Sequence, residues 1–91
     1  MDRYEIGMLA WSRAGHDIGQ LYVIMAVEDE YVFLTDGRLK HVEKPKKKKK
    51  KHIQVMRKIP QGLENMSEKS IKNEDIRRVI RRFLNVESRC N

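Results

Sequence analysis

Apolar and polar residues alternate with a period of two through much of the first 56 residues, interrupted by clusters of glycine and polar residues. Such alternation is typical of short β-strands joined by turns. The interruptions fall at residues 12–19, 29–30 and 35–38, and Asp36-Gly37 in the last of them has the composition of a tight turn. The pattern predicts five strands, over residues 6–11, 20–28, 31–34, 39–42 and 52–56.

After Ile71 the apolar period changes to about 3.6 residues, which predicts an amphipathic helix over residues 73–85. Asn73 is expected as its N-cap, with acidic residues in the first turn where they suit the helix dipole. A helix this short is marginal alone in water, so its apolar stripe is expected to pack on the strands or on a partner. The stripe contains Ile76, Val79, Ile80, Phe83 and Leu84, and the opposite face carries Arg77, Arg78, Arg81 and Arg82.

Five short strands followed by one helix predict a mainly β fold, a small and partly closed five-stranded barrel with a C-terminal α-helix. Closure suits such a chain because it limits exposed strand edges. A length of 91 residues allows one small domain. We expect the barrel in residues 1–58, a linker over residues 59–72 and the helix at residues 73–85.

The excess positive charge is concentrated in one short segment. Residues 40–52 hold eight lysines and one glutamate, a net charge of +7 that equals the net charge of the whole chain. Like charges at this density repel one another and cannot be buried unpaired. Residues 44–52 are therefore expected to form a solvated lysine-rich arm, opened by Pro45 and tethered to strands at both ends. Its expected partner is a polyanion, with nucleic acid ahead of an anionic membrane surface.

The segment from Gly7 to Gly37 resembles the KOW motif, a strand–loop–strand unit of certain ribosomal proteins and transcription elongation factors. The matching residues are Gly7, the loop Gly15-His16-Asp17-Ile18-Gly19, Val23-Ile24 and Asp36-Gly37. Within that family the chain is similar to large-subunit ribosomal protein fourteen of archaea and eukaryotes. It is also similar to small KOW-domain RNA-binding proteins of Gram-positive bacteria, some of which carry a lysine run after the Asp-Gly turn.

The KOW resemblance implies an SH3-like barrel and RNA, above all ribosomal RNA, as the partner. The motif usually has a basic residue before its second loop glycine, where this chain has Ile18. The loop glycines have two open interpretations: they expose N–H groups to phosphate, or they simply close the hairpin. The helix arginines are likewise either a second RNA contact or a solvated face.

The residues predicted to bind RNA are basic side chains and loop glycines, expected to neutralise phosphates without reading sequence. Recognition is expected to depend on RNA shape. The predicted set is Arg13, Gly15, His16, Gly19, Arg38, Lys40, Lys44, Lys46, Lys47, Lys48, Lys49, Lys50, Lys51, His52, Arg77, Arg78, Arg81 and Arg82.

Enzymatic chemistry is not expected. Ser12, His16 and Asp17 are sequence neighbours, whereas catalytic triads are assembled in space from distant residues. The three histidines lack the spacing of a zinc site, and no cofactor is expected. A single cysteine, Cys90, favours a reducing cytoplasmic compartment, and the charged N-terminus does not have the pattern of a signal peptide.

Two further functional classes stay open. The first is a protein-interaction module in transcription or translation, with ribosomal proteins among its possible partners, which would use the apolar helix stripe or an exposed barrel face. The second is a polybasic protein at a membrane surface, which is disfavoured because the chain lacks the aromatic or lipid anchor that stable binding requires. The oligomeric state is not predicted.

Overall fold

The computed structural model describes residues 3–64, 66–67 and 69–89, so Cys90 and Asp2 lie outside the described residues. The fold is mainly β, with five strands and one long helix. In chain order the elements are β1 (Leu9–Ser12), β2 (Leu21–Val27), β3 (Tyr31–Thr35), β4 (Lys46–Lys49), a 3-10 turn (Lys50–His52), β5 (Ile53–Val55) and α1 (Asn73–Arg89).

The number of strands is confirmed, but the predicted fourth strand is wrong. Residues 39–42 do not form a strand, because the preceding turn already uses their backbone. The buried carboxylate of Asp36 accepts hydrogen bonds from the backbone N–H groups of Arg38 and Lys40, at 3.0 and 2.8 Å. The fourth strand is formed instead by residues 46–49 of the lysine run, which pair with β3. The predicted solvated arm is therefore an ordered edge of the sheet.

All five strands belong to one antiparallel sheet in the order β4-β3-β2-β1-β5. β4 and β5 are consecutive in the chain yet lie at opposite edges. Four strand spacings across a flat sheet amount to about 19 Å, whereas the four residues from Lys49 to Ile53 reach at most about 14 Å. The sheet must therefore curl strongly. It nevertheless remains an open sheet, and the predicted barrel does not close.

Alternate residues of the strands enter two apolar clusters, one on each face of the sheet. A bulge between Ile24 and Ala26 shifts the register of β2 against β3. The helix-side cluster contains Leu9, Leu21, Val23, Met25, Leu63, Ile71, Ile76 and Val79. The inner cluster contains Met8, Ala10, Tyr22, Ile24, Val32, Leu34 and Ile53. Because both faces are covered, β2 is apolar along most of its length.

The helix packs against its own sheet. Ile76 and Val79 are buried in the helix-side cluster, and the rings of Trp11 and Phe83 meet edge to face with centroids 6.1 Å apart. The predicted apolar stripe is thus covered within the chain, apart from Leu84, which is 42% exposed. This packing stabilises a helix that would be marginal alone.

The helix begins differently from the prediction. Asn73 is not the N-cap, because its side-chain oxygen accepts a hydrogen bond from the backbone N–H of Val42 at 2.8 Å. The carboxylate of Asp75 instead accepts from the backbone N–H of Lys72 at 2.9 Å, the reciprocal half of a capping box. The Asn73 amide also donates to Glu43. Asn73 therefore ties the helix to the segment that follows the Asp36 turn.

Gly37 lies where this turn meets the helix. Its φ of +74° is in the left-handed region, and a Cβ at this position would lie 2.5 Å from the carbonyl oxygen of Asn73. A side chain would therefore be strained by the backbone and would also collide with the helix. The glycine allows the turn after β3 and the first turn of α1 to touch.

Candidate nucleic-acid interface

The lysines of β4 alternate between two faces of the sheet. Lys46 and Lys48 pair with Leu34 and Val32, which belong to the inner cluster, so these two lysines face inward. Lys47 pairs with Phe33 and faces the opposite side. Identical side chains in one strand therefore occupy two different environments.

The inward lysines share one counter-ion, Asp17, from the loop between β1 and β2. The Asp17 carboxylate accepts from Lys46 Nζ at 2.9 Å and from Lys48 Nζ at 2.7 Å. It also accepts from the hydroxyls of Tyr22 at 2.7 Å and Ser12 at 2.8 Å. We call these five residues the Asp17 hub. It joins the loop to an edge strand about thirty residues further along the chain.

The hub is largely removed from solvent, with side-chain exposures of 15% for Asp17 and 9% for Lys48. Burial alone would raise the pKa of Asp17, but hydrogen bonds from Lys46, Lys48, Tyr22 and Ser12 outweigh it and hold that pKa well below its usual range. Burial raises the pKa of the Tyr22 phenol, and its hydrogen bond to the Asp17 carboxylate and the charges of Asp17 and Asp36 add to the effect. Asp17 is therefore ionised and Tyr22 protonated at neutral pH.

Both loop glycines adopt a backbone conformation that favours glycine. Gly15 and Gly19 both have a φ of +87°. The N–H of Gly19 donates to the carbonyl of Ser12 at 3.0 Å, which closes the loop. This contact favours the hairpin-closing interpretation for Gly19. Ile18, where the KOW motif usually has a basic residue, is 66% exposed at the loop tip.

The outward lysines lie beside aromatic rings or in solvent. Lys47 Nζ lies 4.4 Å from the ring centroid of Tyr31 and 6.0 Å from that of Phe33, which is cation–π geometry. Lys49 and Lys51 are exposed. We call Lys47, Lys49 and Lys51 the lysine edge. They project from an ordered backbone, so their charges are held close together without the ordering cost of a flexible arm.

The remaining predicted lysines lie on either side of this edge. Lys50 Nζ donates to the carbonyl of Asp29 at 2.9 Å and lies 5.0 Å from the ring centroid of Tyr4. Lys40 and Lys44 are exposed in the segment between the Asp36 turn and β4.

The other predicted residues near the loop between β1 and β2 are His52, Arg13 and His16. His52 is partly buried, and its carbonyl accepts from the backbone N–H of Arg13 at 2.8 Å. Arg13 and His16 are exposed in the loop.

The four helix arginines divide between structural contacts and solvent. Arg77 donates to the carbonyl of Gly37 at 2.6 Å, which links the helix to the turn. Arg78 lies 3.6 Å from Asp75, an exposed pair that adds little stability. Arg81 and Arg82 are exposed. Arg81 therefore remains available to a ligand on the face that also carries Arg38.

Of the residues predicted from sequence, the structure brings Lys46 and Lys48 together on Asp17, with Gly15 beside them, whereas the exposed Arg13 contacts β5 instead. Reasoning from the sequence missed the hub's other members, because Ser12, Asp17 and Tyr22 meet the two lysines only once β4 is paired in the sheet. The available signal was the density of lysine charge, which requires a nearby anion if any of it is buried.

The structure also bears on three alternatives: a catalytic role for Ser12, a metal site and a membrane-spanning helix. Ser12 is buried and its hydroxyl donates to Asp17, so it acts within the hub. Across the described ranges, no three His, Cys, Asp or Glu side chains are grouped so that they could hold a metal ion. Within the same ranges, no helix has the length and apolarity needed to cross a bilayer.

Comparison with known proteins gives no match from which a function of this interface could be inferred. No protein-family model matches the chain, and no curated protein matches it significantly.

Proposed function

We propose that this chain is a non-catalytic RNA-binding protein that contacts the phosphate backbone through its lysine edge. The single observation that carries the proposal is the division of β4 into two faces. Asp17 pairs with both inward lysines. Lys47 and Lys49 on the other face of β4, with Lys51 in the adjoining 3-10 turn, remain as an exposed and densely positive surface. Closely spaced lysines of this kind bind polyanions by displacing counter-ions.

We further propose that the fold is an SH3-like unit of the KOW type and that its RNA is ribosomal, on or near the large subunit in the cytoplasm. Two observations support this assignment. The strands β4 and β5 are consecutive in the chain yet lie at opposite edges of the sheet, so the sheet curls in the manner of a small barrel. The two-glycine loop that carries the resemblance also lies against the lysine strand, with Gly15 close to Lys48.

The test is a measurement of RNA affinity against salt concentration. The proposed variant replaces Lys47, Lys49 and Lys51 with serine and leaves Lys46 and Lys48 in place to keep the hub intact. A matched control replaces Lys58, Lys69 and Lys72, three exposed lysines elsewhere, and removes the same charge. The slope of log K against log salt should become shallower by roughly 2 to 3 in the first variant and by much less in the control.

Crosslinking the protein to RNA in cells, followed by sequencing, tests the ribosomal part of the proposal. Enrichment of large-subunit ribosomal RNA is expected. Recovery of no enriched RNA would favour a protein-interaction module. Its contact surface would then be the exposed Leu39 and Ile18 rather than the helix stripe, which is covered within the chain.

A different explanation of lysines on an edge strand is protection against edge-to-edge pairing with another molecule. The double substitution Lys49→Glu and Lys51→Glu separates the two roles, because it keeps the edge charged but reverses its sign. Under the RNA proposal this variant stays in the same oligomeric state on size-exclusion chromatography and loses RNA binding. Unchanged RNA affinity in this variant would mean that the edge lysines serve to prevent edge-to-edge pairing and not to bind RNA.

A further inference from the structure

A second basic surface lies on the side of the molecule where the helix meets the sheet. A groove with a volume of about 660 Å³ runs between α1, the start of β2 and the turn after β3. Its walls include Trp11, Arg38, Arg77, Arg81 and Leu84. The volume falls within the roughly 300–1,000 Å³ of typical small-ligand sites. We call this feature the arginine groove.

The groove carries excess positive charge. Arg38 and Arg81 are exposed, and no carboxylate among the described side chains lies within 4 Å of either guanidinium. Arg77 is held in place by its hydrogen bond to Gly37. The one acidic residue in the walls, Asp36, is buried and accepts from two backbone N–H groups. The groove therefore favours an anionic group, and Arg38 and Arg81 can bind it with paired N–H donors.

Trp11 and Leu84 give the groove an apolar wall. Trp11 is half-buried, and its ring packs edge to face with the ring of Phe83, which restrains its orientation. Leu84 continues this wall and is the exposed end of the helix stripe. An aromatic face beside arginines suits a nucleotide, whose base stacks while its phosphate is bound by guanidinium groups. An acidic peptide would use the arginines but carries no base to stack on Trp11.

We propose that the arginine groove receives one unpaired nucleotide of RNA, with its base against Trp11 and its phosphate between Arg38 and Arg81. This inference rests on the proposed RNA-binding function and deepens it, since the lysine edge binds only the backbone. The loop between β1 and β2 lies between β4 and the groove: a Cβ added at Gly15 would lie 3.7 Å from Lys48 Nζ in β4, and Gly19 lines the groove.

Trp11 is the single tryptophan of the chain, so its fluorescence reports on the groove directly. The probes are an eight-nucleotide uridine RNA and an abasic RNA with the same number of phosphates, both labelled for anisotropy. The uridine RNA should bind about 5- to 100-fold more tightly, because stacking is available to it alone. It should also quench Trp11, whereas the abasic RNA should not.

The variant test replaces Arg38 and Arg81 together with alanine. Both side chains are exposed, so the fold should be retained. Affinity for the uridine RNA should fall by at least about tenfold. The matched control, Arg57→Ala with Lys58→Ala, removes the same charge from exposed positions outside the groove and should change this affinity less than about threefold.

The outcomes separate the two proposals. Equal, salt-dependent affinities for both RNAs with no change in Trp11 fluorescence would overturn the groove and leave the lysine-edge function standing. Absence of binding to either RNA at low salt would overturn both. Equal quenching of Trp11 by polyglutamate and by the uridine RNA would show that the groove binds acidic peptides and is not specific for a nucleotide.

Discussion

Lys48 and Lys49 are neighbours in one strand and have opposite surroundings. Lys48 faces inward, is nearly buried and is paired with Asp17, whereas Lys49 faces solvent. The strand's alternation alone separates them, since successive side chains point to opposite faces. A run of identical residues can thus occupy two environments, with one half paired inside the fold and the other half exposed at the surface. The following predictions test this division.

The largest effect is expected from Asp17→Asn. This change keeps the shape of the side chain but leaves Lys46 and Lys48 without their counter-ion in a largely buried site. We expect the free energy of unfolding to fall by about 2–4 kcal/mol. Urea unfolding followed by circular dichroism at pH 7 measures this loss.

The control is Asp29→Asn, at an exposed hairpin position, which should change stability by less than about 0.5 kcal/mol. Similar stabilities for the two variants would mean that the inward lysines do not depend on Asp17.

The hub should also make the free energy of unfolding depend on pH in the acidic range. The pKa of Asp17 is lower in the folded chain than in the unfolded chain, so its stabilisation is fully present above about pH 4 and is lost as the pH falls further. The difference in unfolding free energy between the wild type and Asp17→Asn should shrink by up to about 1.4 kcal/mol per pH unit below pH 4. Urea titrations between pH 6 and pH 2.5 measure it.

The Asp29→Asn variant again provides the comparison, because its difference from the wild type should stay near zero over the same range. A difference between wild type and Asp17→Asn that is constant with pH would show that Asp17 is not stabilised as a carboxylate.

The elements that could be predicted from sequence are those in which apolar and polar residues alternate periodically. β1, β2, β3 and β5 contain alternating apolar residues, and α1 has a helical stripe, so periodicity located them to within a few residues. β4 consists of four lysines, so its sequence has no alternation of apolar and polar residues. Its strand conformation depends on pairing with β3 and on Asp17, 29 and 31 residues away from Lys46 and Lys48.

The candidate site was predictable in composition but not in arrangement. The lysine run and helix arginines were identified, yet nothing in the sequence indicates that Arg38 and Arg81 line one groove with Trp11. That proximity requires α1 to pack across the sheet and Gly37 to touch Asn73. Both are long-range contacts that local periodicity does not report.

Lys48→Met and Lys49→Met form a matched pair that tests the two faces directly. Methionine keeps much of the side-chain volume and removes the charge. Lys48→Met should lower the free energy of unfolding by about 1–2 kcal/mol, because Asp17 loses a charged donor in a largely buried site. Lys49→Met should change it by less than about 0.5 kcal/mol. Equal losses measured by urea unfolding would contradict the division of the strand.

The smallest effect is expected in the salt dependence of RNA binding for the same pair. If Lys49 neutralises one phosphate, Lys49→Met should make the slope of log K against log salt shallower by about 0.7–0.9. Lys48→Met, measured where it remains folded, should leave the slope unchanged, because the Lys48 ammonium group is nearly buried and paired with Asp17 rather than exposed to RNA. Anisotropy titrations at four or more salt concentrations resolve such a change. A slope that responds to Lys48 rather than to Lys49 would mean that RNA displaces Asp17 from the inward lysines, and the hub itself would then be the binding site.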